Sequence, residues 1–171
     1  MFDLNPYDKS FAEVHKDAQL RKMPLESWDL YSVFFRALNA AQNDLALLTQ
    51  LAKEYKWNVG FDLDTELQTN DAILVTDTKL KIVFASYGIA EMSGYQPVEV
   101  VGNSPKMFQG TGTSAEKRAE INLAIAERRP FEASLVNYRK NGEPYECHIR
   151  SFPIFNTKGE LTHFIALEKA A

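Results

Sequence analysis

The chain has 171 residues, of which 45% are hydrophobic and 25% are charged, a composition typical of one globular domain with an extension. Its formal net charge of -4 argues against a nucleic-acid-binding surface, which would need a basic face. The single cysteine, Cys147, excludes an internal disulfide and any metal site built from several cysteines, and it favours a reducing cytoplasmic location.

Residues 1–23 form the first predicted segment, which is weakly patterned. The segment lacks the apolar core of a signal peptide, and no window of the sequence is apolar enough over its length to predict a membrane span. We expect either a short helix around Ser10 to Gln19 or partial disorder, and we assign this segment no function.

Residues 24–60 are predicted to form a helical extension. Pro24 suits the first turn of a helix, and neither glycine nor a further proline occurs between Leu25 and Trp57. Apolar residues recur there at alternating steps of three and four over roughly three heptads, which indicates a contact seam for a second copy of the chain. The seam consists of Tyr31, Phe34, Leu38, Ala41, Leu45, Leu48, Ala52 and Tyr55.

An alternative for this extension is that it packs only on its own domain, as one helix or as a pair broken near Asn43-Asp44. The two arrangements are compatible, because a helix can present its seam to a partner and its flank to a sheet. Further apolar residues beside the seam supply that flank, namely Trp28, Val33, Phe35, Leu47 and Leu51.

Residues 61–171 are predicted to form the main domain, which begins with a hairpin. The stretches "AILVTD" and "LKIVFAS" are rich in branched apolar residues and are joined through Thr78-Lys79. Short helices are predicted over Gly88 to Ser93 and Pro97 to Val101, since each is followed by a glycine. A longer helix follows Ser114, with its isoleucines and Leu123 expected to be buried.

Three strands complete the predicted domain: "FEASLVNYRK", "YECHIRSFPIF" and "LTHFIALEK", joined by tight turns at Asn141-Gly142 and Lys158-Gly159. The fold class is therefore α+β, with five antiparallel strands curled around one apolar pocket and the helices on one face. If Asn137, Cys147 and Glu168 point into the pocket, alternation turns a second set outward, namely Val136, Leu161, Ile165 and Leu167. The flank of the helical extension is the predicted cover for this outer face.

Residues from about Leu67 to Lys169 resemble a PAS domain, and specifically its light-oxygen-voltage (LOV) branch, which binds flavin mononucleotide. The segments that carry the resemblance are "EMSGYQPVEVVG", "MFQGTGT", "INLAIAERRPFEASLVNYRKNGEPY" and "SFPIFNTKGELTHFIALE". The resemblance implies a five-stranded PAS fold, a sensory role, and dimerisation through an N-terminal helix.

The chain departs from the motif of the LOV branch at its reactive position. That motif runs G-R-N-C-R-F-L-Q-G, and its cysteine adds to the photoexcited flavin, whereas this chain has "GNSPKMFQG" from Gly102 to Gly110. The reactive cysteine is thus replaced by Pro105, which has no nucleophile. Lys106 occupies the motif position of the arginine that contacts the flavin phosphate. Gln109 matches the glutamine of the motif.

The residues that hydrogen-bond the edge of the flavin ring in the LOV branch are also replaced in this chain. Two asparagines and a glutamine of the branch correspond here to Asn137, Cys147 and Glu168, and a second phosphate-binding arginine corresponds to Asn122. A thiol is a weak hydrogen-bond donor and acceptor, and an ionised glutamate would repel flavin carbonyls unless it were protonated or turned outward. We expect Cys147 to be a buried neutral thiol and Glu168, near the end of the last strand, to be solvated or paired. We therefore expect no bound cofactor, with flavin mononucleotide as the alternative.

Enzymatic motifs are absent from the sequence, and we predict no catalytic activity. The stretch "GTGTS" is interpreted as a loop and helix cap, and the three histidines are not arranged as metal or haem ligands.

The predicted function is a PAS-type signalling module that acts through a homodimer, or through an unidentified protein partner, without cysteinyl-flavin chemistry. Its contacts are the helical seam and the outer sheet face. The alternatives are a light or redox sensor that binds flavin without forming an adduct, and a sensor of a small apolar ligand. A further alternative is an adaptor whose pocket is filled by Tyr87, Met107 and Phe108.

Overall fold

The computed structural model describes residues 26–171, and it describes side chains within this range except those of residues 26–38 and 41. The segment predicted over residues 1–23 lies outside the described residues, as do the side chains of four seam residues: Tyr31, Phe34, Leu38 and Ala41. The chain divides into two compact units, Met1–Arg36 and Ala37–Ala171, and the packing given below is that of the second unit.

The first helix, α1, runs from Glu26 to Glu54. It continues through Asn43-Asp44, where a break had been one of the alternatives. Asp44 does not interrupt the helix because its side chain turns inward, where it is 8% exposed and accepts a hydrogen bond from the backbone N–H of Tyr87 at 2.7 Å. The chain leaves the helix at Lys56, which adopts a positive φ of 53°.

Two short elements follow α1 that the sequence did not predict. Strand β1 contains only Trp57–Asn58, and helix α2 spans Leu63–Thr69. Asp62 caps α2, since its carboxylate accepts hydrogen bonds from the backbone N–H and the hydroxyl of Thr65 at 2.9 and 2.7 Å. These elements lie at the boundary between the predicted helical extension and the main domain.

The main strands are β2 (Ala72–Asp77), β3 (Ile82–Ala85), β4 (Phe131–Tyr138), β5 (Pro144–Asn156) and β6 (Leu161–Ala170). They pair antiparallel in the order β1-β5-β6-β2-β3, and β4 pairs with the first part of β5. The five predicted strands are confirmed, and β1 extends the sheet to six. Since β6 lies between β5 and β2, both of its edges are hydrogen-bonded and its side chains are held in a defined alternation.

The three helices that the sequence predicted between β3 and β4 are confirmed, and a 3-10 helix that was not predicted lies among them. They are α3 (Gly88–Ser93), α4 (Pro97–Val100), a 3-10 helix (Pro105–Phe108) and α5 (Ala115–Ala126). The hydroxyl of Ser114 caps α5 by accepting from the backbone N–H of Lys117 at 3.2 Å. Burial of Leu123 was predicted wrongly, since it is 55% exposed. Helical periodicity instead turns Ala124 inward, with Ile121 and Ile125 half-buried.

Apolar clusters cover both faces of the sheet. The inner cluster joins sheet residues such as Leu74 and Cys147 to Ile89, Met92 and Phe108 from the helices. The outer cluster lies beneath Leu48 and Leu51 of α1 and Leu63 and Leu67 of α2. It contains six buried residues of the strands, namely Ile73, Val75, Phe84, Ile154, Ile165 and Leu167. The expectation that α1 covers the outer face, with Ile165 and Leu167 on it, is thus confirmed. Val136 and Leu161, predicted on the same face, are half-buried outside this cluster.

The face of α1 that packs on the sheet differs from the predicted flank by one residue. Leu48, assigned to the seam, is fully buried, whereas Leu47, assigned to the flank, is 47% exposed. A helical pattern this rich in apolar residues does not define which of two adjacent leucines faces the sheet. Within the described residues, no helix is long and apolar enough to cross a membrane.

Replacement of Gly88 by alanine tests the junction between α3 and β2. A Cβ atom at Gly88 would lie 1.8 Å from the backbone oxygen of Asp71, so the start of α3 would have to move. We expect the free energy of unfolding to fall by at least about 2 kcal/mol, measured by urea titration. Gly60→Ala is the matched control, because nothing lies within 4 Å of its added Cβ atom; equal effects of the two replacements would contradict this account.

Candidate ligand cavity

A cavity of about 110 Å³ lies between the inner face of the sheet and the 3-10 helix and α5. Its walls are mainly apolar, from Leu74, Ile121, Leu135 and Phe164 among others. Engineered cavities of about 150 Å³ admit one aromatic ring, whereas sites for drug-sized ligands occupy about 300 to 1,000 Å³. The enclosed part of this cavity therefore has the size of a single ring.

A surface groove of about 290 Å³ lies beside the cavity. The two spaces share Lys106, Gln109, Ile121 and Asn122, and the groove is additionally lined by Arg118. Arg118 precedes Asn122 by one turn of α5, so its side chain belongs to the same helical face. Arg118 was not among the predicted residues, although its spacing of four residues from Asn122 is a signal present in the sequence.

Four of the five pocket residues proposed from the sequence line the cavity: Lys106, Gln109, Asn137 and Glu168. Pro105 lines it as well, as the first residue of the 3-10 helix. The fifth, Cys147, is fully buried in the inner cluster, and its Sγ lies 3.6 Å from Oε2 of Glu168. The five predicted pocket residues thus lie close together, and the Cys147 thiol is hydrogen-bonded to Glu168.

Glu168 was expected to be solvated or paired, and it is only 3% exposed, with its carboxyl group accepting from the Cys147 thiol. Its position near the end of β6 suggested access to water, but β6 is a central strand and Glu168 is paired with both Ala72 and Ile149. Burial raises the pKa of Glu168 to about 7. Below about pH 7 the neutral carboxyl group predominates, and it both donates and accepts hydrogen bonds, as an amide does.

The Cys147 thiol is held in its neutral form. Burial raises its pKa far above the usual range, and the adjacent Glu168 raises it further. A neutral thiol is a weak nucleophile, because the thiolate is the reactive species. Cys147 therefore contributes a weak hydrogen bond and packing, as the sequence predicted for a buried thiol.

Two buried polar atoms beside this pair have no hydrogen-bond partner among the described residues: Oδ1 of Asn137 and the hydroxyl of Tyr145. Asn137 is 4% exposed and lines the cavity. An unpaired buried polar group costs about 1 to 3 kcal/mol, so a ligand that donated a hydrogen bond to Oδ1 of Asn137 would be favoured. Tyr145 was not predicted, although it shares the inward alternation of Cys147 on β5.

Of the three side chains proposed as cavity fillers, only Phe108 serves this role. Phe108 is 2% exposed, lines the cavity and packs edge to face on Tyr95. Met107 is half-buried against the inner cluster. Tyr87 is 38% exposed and lines a different surface depression, beside Asp44. An adaptor with a completely filled pocket is therefore not what the structure contains.

The glycines after the 3-10 helix make room for Tyr138. A Cβ atom at Gly110 would lie 2.5 Å from the Tyr138 ring, and the backbone N–H of Gly112 donates to the Tyr138 hydroxyl at 2.8 Å. Thr113 secures the same loop by donating its hydroxyl proton to the Val136 carbonyl at 2.6 Å. The stretch "GTGTS" is thus a packing loop followed by a helix cap, as predicted.

The two described histidines lie away from the cavity. His148 is half-buried between Ser134 and Glu132, and His163 lies under the end of α1, where the Trp57 indole N–H donates to it. Across residues 26–171, no group of three His, Cys, Asp or Glu side chains is arranged to hold a metal ion.

The described seam residues divide between two sides of α1. Leu48 is buried in the outer cluster, and the Tyr55 ring contacts His163 edge-on with 4.5 Å between ring centroids. Leu45 and Ala52 are half-buried, and Leu45 lines a surface groove with Gln42, Ala46, Thr49, Gln50 and Lys53. The outer sheet face, predicted as part of a dimer contact, is instead covered by α1 and α2 of the same chain.

The structure is a mixed α+β domain in which helices close a small cavity over the inner face of a curled antiparallel sheet. The sequence matches the PAS domain family over residues 70–169. The chain therefore belongs to the PAS domain family.

Similar proteins with curated descriptions include Protein TWIN LOV 1 of Arabidopsis thaliana, which is 42% identical over 88 residues, or 51% of this chain and 22% of that protein. A blue-light-activated histidine kinase of Brucella ovis is 31% identical over 119 residues, or 70% of this chain and 24% of the kinase. The chain thus spans about a quarter of the length of these relatives.

Solved structures with the same fold include the light state of the Aureochrome1 LOV photoreceptor, with a TM-score of 0.58 and 21% identity over 64% of this chain and 88% of that one. A second is the LOV domain of the blue-light activated histidine kinase from Erythrobacter litoralis EL346, with a TM-score of 0.55 and 20% identity over 58% of this chain and 94% of that one. The predicted α+β PAS fold is confirmed.

The buried carboxyl group makes stability depend on pH. Because the folded pKa of Glu168 is raised to about 7, its contribution is fully present below its unfolded pKa and is lost as pH rises through about 7. We expect the free energy of unfolding to fall by about 1 to 3 kcal/mol between about pH 5 and pH 8 on this account. Urea titrations at several pH values measure it.

Glu168→Gln should remove most of this decrease, since glutamine does not titrate. The exposed Glu146→Gln, on the neighbouring strand, is the matched control and should leave the pH profile unchanged. A Glu168→Gln protein with the wild-type profile would show that Glu168 is not the buried titrating group.

Proposed function

We propose that this chain is a PAS-type sensory module that couples its cavity to protein contacts through α1 and works without a cysteinyl-flavin adduct. The observation that carries the proposal is Pro105. This residue lines the cavity at the position that the LOV resemblance assigns to the reactive cysteine. The proposal assigns the chain a signalling role in a reducing cytoplasmic setting, and no reaction.

The chemistry of the two candidate positions supports an adduct-free mode of action. A proline ring offers no lone pair or acidic hydrogen with which to attack a bound ring. The other candidate, Cys147, is absent from the cavity wall and keeps its proton under the influence of burial and Glu168. A covalent step would therefore lack an activated nucleophile.

Two contacts support coupling from the cavity to α1. Along β6, Glu168 lines the cavity while the adjacent Leu167 packs in the outer cluster with Leu48 and Leu51 of α1. Asp44 of α1 accepts a hydrogen bond from the Tyr87 N–H, directly before α3, whose Ile89 and Met92 belong to the inner cluster. A change in cavity occupancy that shifted β6 or α3 would thus alter how α1 packs against the sheet.

A flavin bound without a covalent link is the second candidate, and the polar end of the cavity favours it. Asn137 and the neutral Glu168 offer donors and acceptors to the edge of a heterocycle, and Oδ1 of Asn137 has no other partner among the described residues. Lys106 and Arg118 flank the groove at the other end, where they can attract an anionic tail. A flavin bound here would supply absorption of blue light.

The enclosed space of about 110 Å³ fits one ring, so a three-ring flavin requires outward movement of groove residues such as Gln109 and Asn122. Several solved neighbours are LOV photoreceptors, and one is described by a study of a flavin analogue, at a TM-score of 0.60. These descriptions concern those proteins; for this chain they make flavin the first compound to test.

Flavin titration tests the second candidate. We expect flavin mononucleotide to bind with quenching of its fluorescence, and Arg118→Ala to weaken this binding about tenfold, because one charge-assisted contact is worth on the order of 1.4 kcal/mol. Riboflavin, which lacks the phosphate, should bind both proteins equally. Lys117→Ala is the control, since Lys117 pairs with Glu120 and does not line the groove.

Blue illumination of the same samples, without added reductant, tests the absence of an adduct. The flavin band of the wild-type protein should persist, whereas Pro105→Cys should lose it and recover in the dark. Reversible loss in the wild type that Cys147→Ser abolishes would overturn the adduct-free proposal. If neither flavin binds, the second candidate fails and the sensory role through another small ligand is retained.

Contact with a second copy is proposed to use the exposed side of α1. Leu45 is only half-buried within its own chain, and the groove around it is open to solvent. With Leu48 committed to the core, the proposed contact consists of Leu45, Ala52 and the seam residues whose side chains lie outside the described part. Relatives described as blue-light-activated histidine kinases suggest a kinase as the unidentified signalling partner.

Leu45→Lys should therefore convert a homodimer into a monomer with a folded core. A lysine on each copy would place two like charges in an apolar contact, and we expect dimer affinity to fall at least about tenfold. Sedimentation or light scattering measures the mass, and circular dichroism checks the fold. Leu123→Lys, at another exposed leucine, is the matched control and should keep the wild-type mass; a Leu45→Lys protein of unchanged mass would exclude this interface.

A further inference from the structure

His163 lies on the outer side of β6, beneath the segment that joins α1 to the sheet. The residue is 3% exposed, and its Nδ1 accepts a hydrogen bond from the Trp57 indole N–H at 3.1 Å. The Tyr55 ring lies edge-on to the imidazole, with 4.5 Å between centroids. Because an indole nitrogen can only donate, Nδ1 must be unprotonated, and the neutral imidazole carries its proton on Nε2.

Protonation of Nδ1 is incompatible with this contact. The acceptor would become a donor, so that two N–H groups would face each other at hydrogen-bond distance. The positive charge would also be buried, and burial lowers the pKa of His163 below its ordinary value. Proton binding at His163 and attachment of Trp57 to the sheet therefore oppose each other.

Two acidic groups near His163 partly offset the effect of burial on its protonation. Glu54 of α1 and Asp77 of β2 are the charged groups that act on the imidazole, and both favour its protonated form. Asp77 already accepts hydrogen bonds from the backbone N–H groups of Lys79 and Lys81 through Oδ1. β1 and β5 contribute no charge, since they place Trp57 and Ile154 against His163.

Few backbone hydrogen bonds hold this segment to the sheet, and the apolar contacts of Leu51, Trp57 and Val59 with the outer cluster add to them. Strand β1 is two residues long and pairs only with Phe155 and Asn156 of β5. The carbonyl of Lys56 accepts one further hydrogen bond, from the Thr157 N–H at 3.0 Å. The side-chain cluster of His163, Trp57 and Tyr55 is thus a substantial part of the attachment of the end of α1.

We propose that His163 is a proton-sensitive latch: protonation at Nδ1 breaks the Trp57 hydrogen bond and releases the end of α1 from the sheet. The latch lies on the face of the sheet opposite the cavity. The position of α1 consequently responds to pH as well as to cavity occupancy, and the two inputs act through different side chains of β6.

Tryptophan fluorescence tests the latch directly. The chain has two tryptophans, so Trp28→Phe leaves Trp57 as the single reporter. On lowering the pH from about 8 to about 5, we expect Trp57 emission to shift to the red and lose intensity, with a midpoint below the ordinary imidazole value of about 6.5. Circular dichroism should show that the helices and strands persist across this range.

His163→Gln in the same background should remove the transition, because glutamine accepts a hydrogen bond through its carbonyl and does not titrate. His148→Gln and His15→Gln are the matched controls and should keep the midpoint. A midpoint that survives His163→Gln, or emission that does not change across the range, would overturn the proposal.

Nitrogen chemical shifts of the imidazole ring in the otherwise unaltered protein give a measurement that does not depend on the folding of a variant. At about pH 8 His163 should be the tautomer protonated at Nε2, and its titration should coincide with a change in the indole N–H resonance of Trp57. A proton on Nδ1 at that pH would overturn the proposal, as would titration of His163 without any change in the indole resonance.

Discussion

The alternation of side chains along β6 is the constraint on which the rest of this structure depends. Because β6 is hydrogen-bonded on both edges, its residues cannot rotate away from their faces. Phe164, Ala166 and Glu168 face the cavity side, whereas His163, Ile165 and Leu167 face the other side. Both faces are therefore largely apolar and both must be covered, which the 3-10 helix and α5 do on one side and α1 and α2 do on the other.

This constraint explains why the sensory and the signalling parts of the domain are close together. Residues 167 and 168 are adjacent in the chain, yet one packs beneath α1 and the other lines the cavity. A shift of β6 by a fraction of an ångström changes both packings, since close-packed interiors have little free volume. The same strand carries His163, so the proposed proton latch and the proposed cavity sensor act on a common element from opposite sides.

Glu168 shows how burial alters the chemistry expected from a residue type. In water a glutamate is ionised at neutral pH, and the sequence suggested that this carboxylate would repel a flavin edge. In the folded chain, desolvation favours the neutral acid, which can both donate and accept. The cluster of Glu168, Cys147, Asn137 and Tyr145 is consequently polar but uncharged at mildly acidic pH, and this suits the hydrogen-bonding edge of a neutral heterocycle.

Local patterns in the sequence were sufficient to predict the five main strands, the short helices that end at glycines, and the α+β order of the elements. They also predicted most of the residues that line the cavity. Alternation with a period of two and turn residues such as Asn141-Gly142 act over short stretches, so they can be recognised without the fold. Tertiary structure alone decided the burial of Glu168, the exposure of Leu123, and the choice of Leu48 rather than Leu47 as the residue that faces the sheet. Each of these depends on which distant segment packs against the residue, and desolvation and helix orientation are determined by that packing rather than by neighbours in the chain.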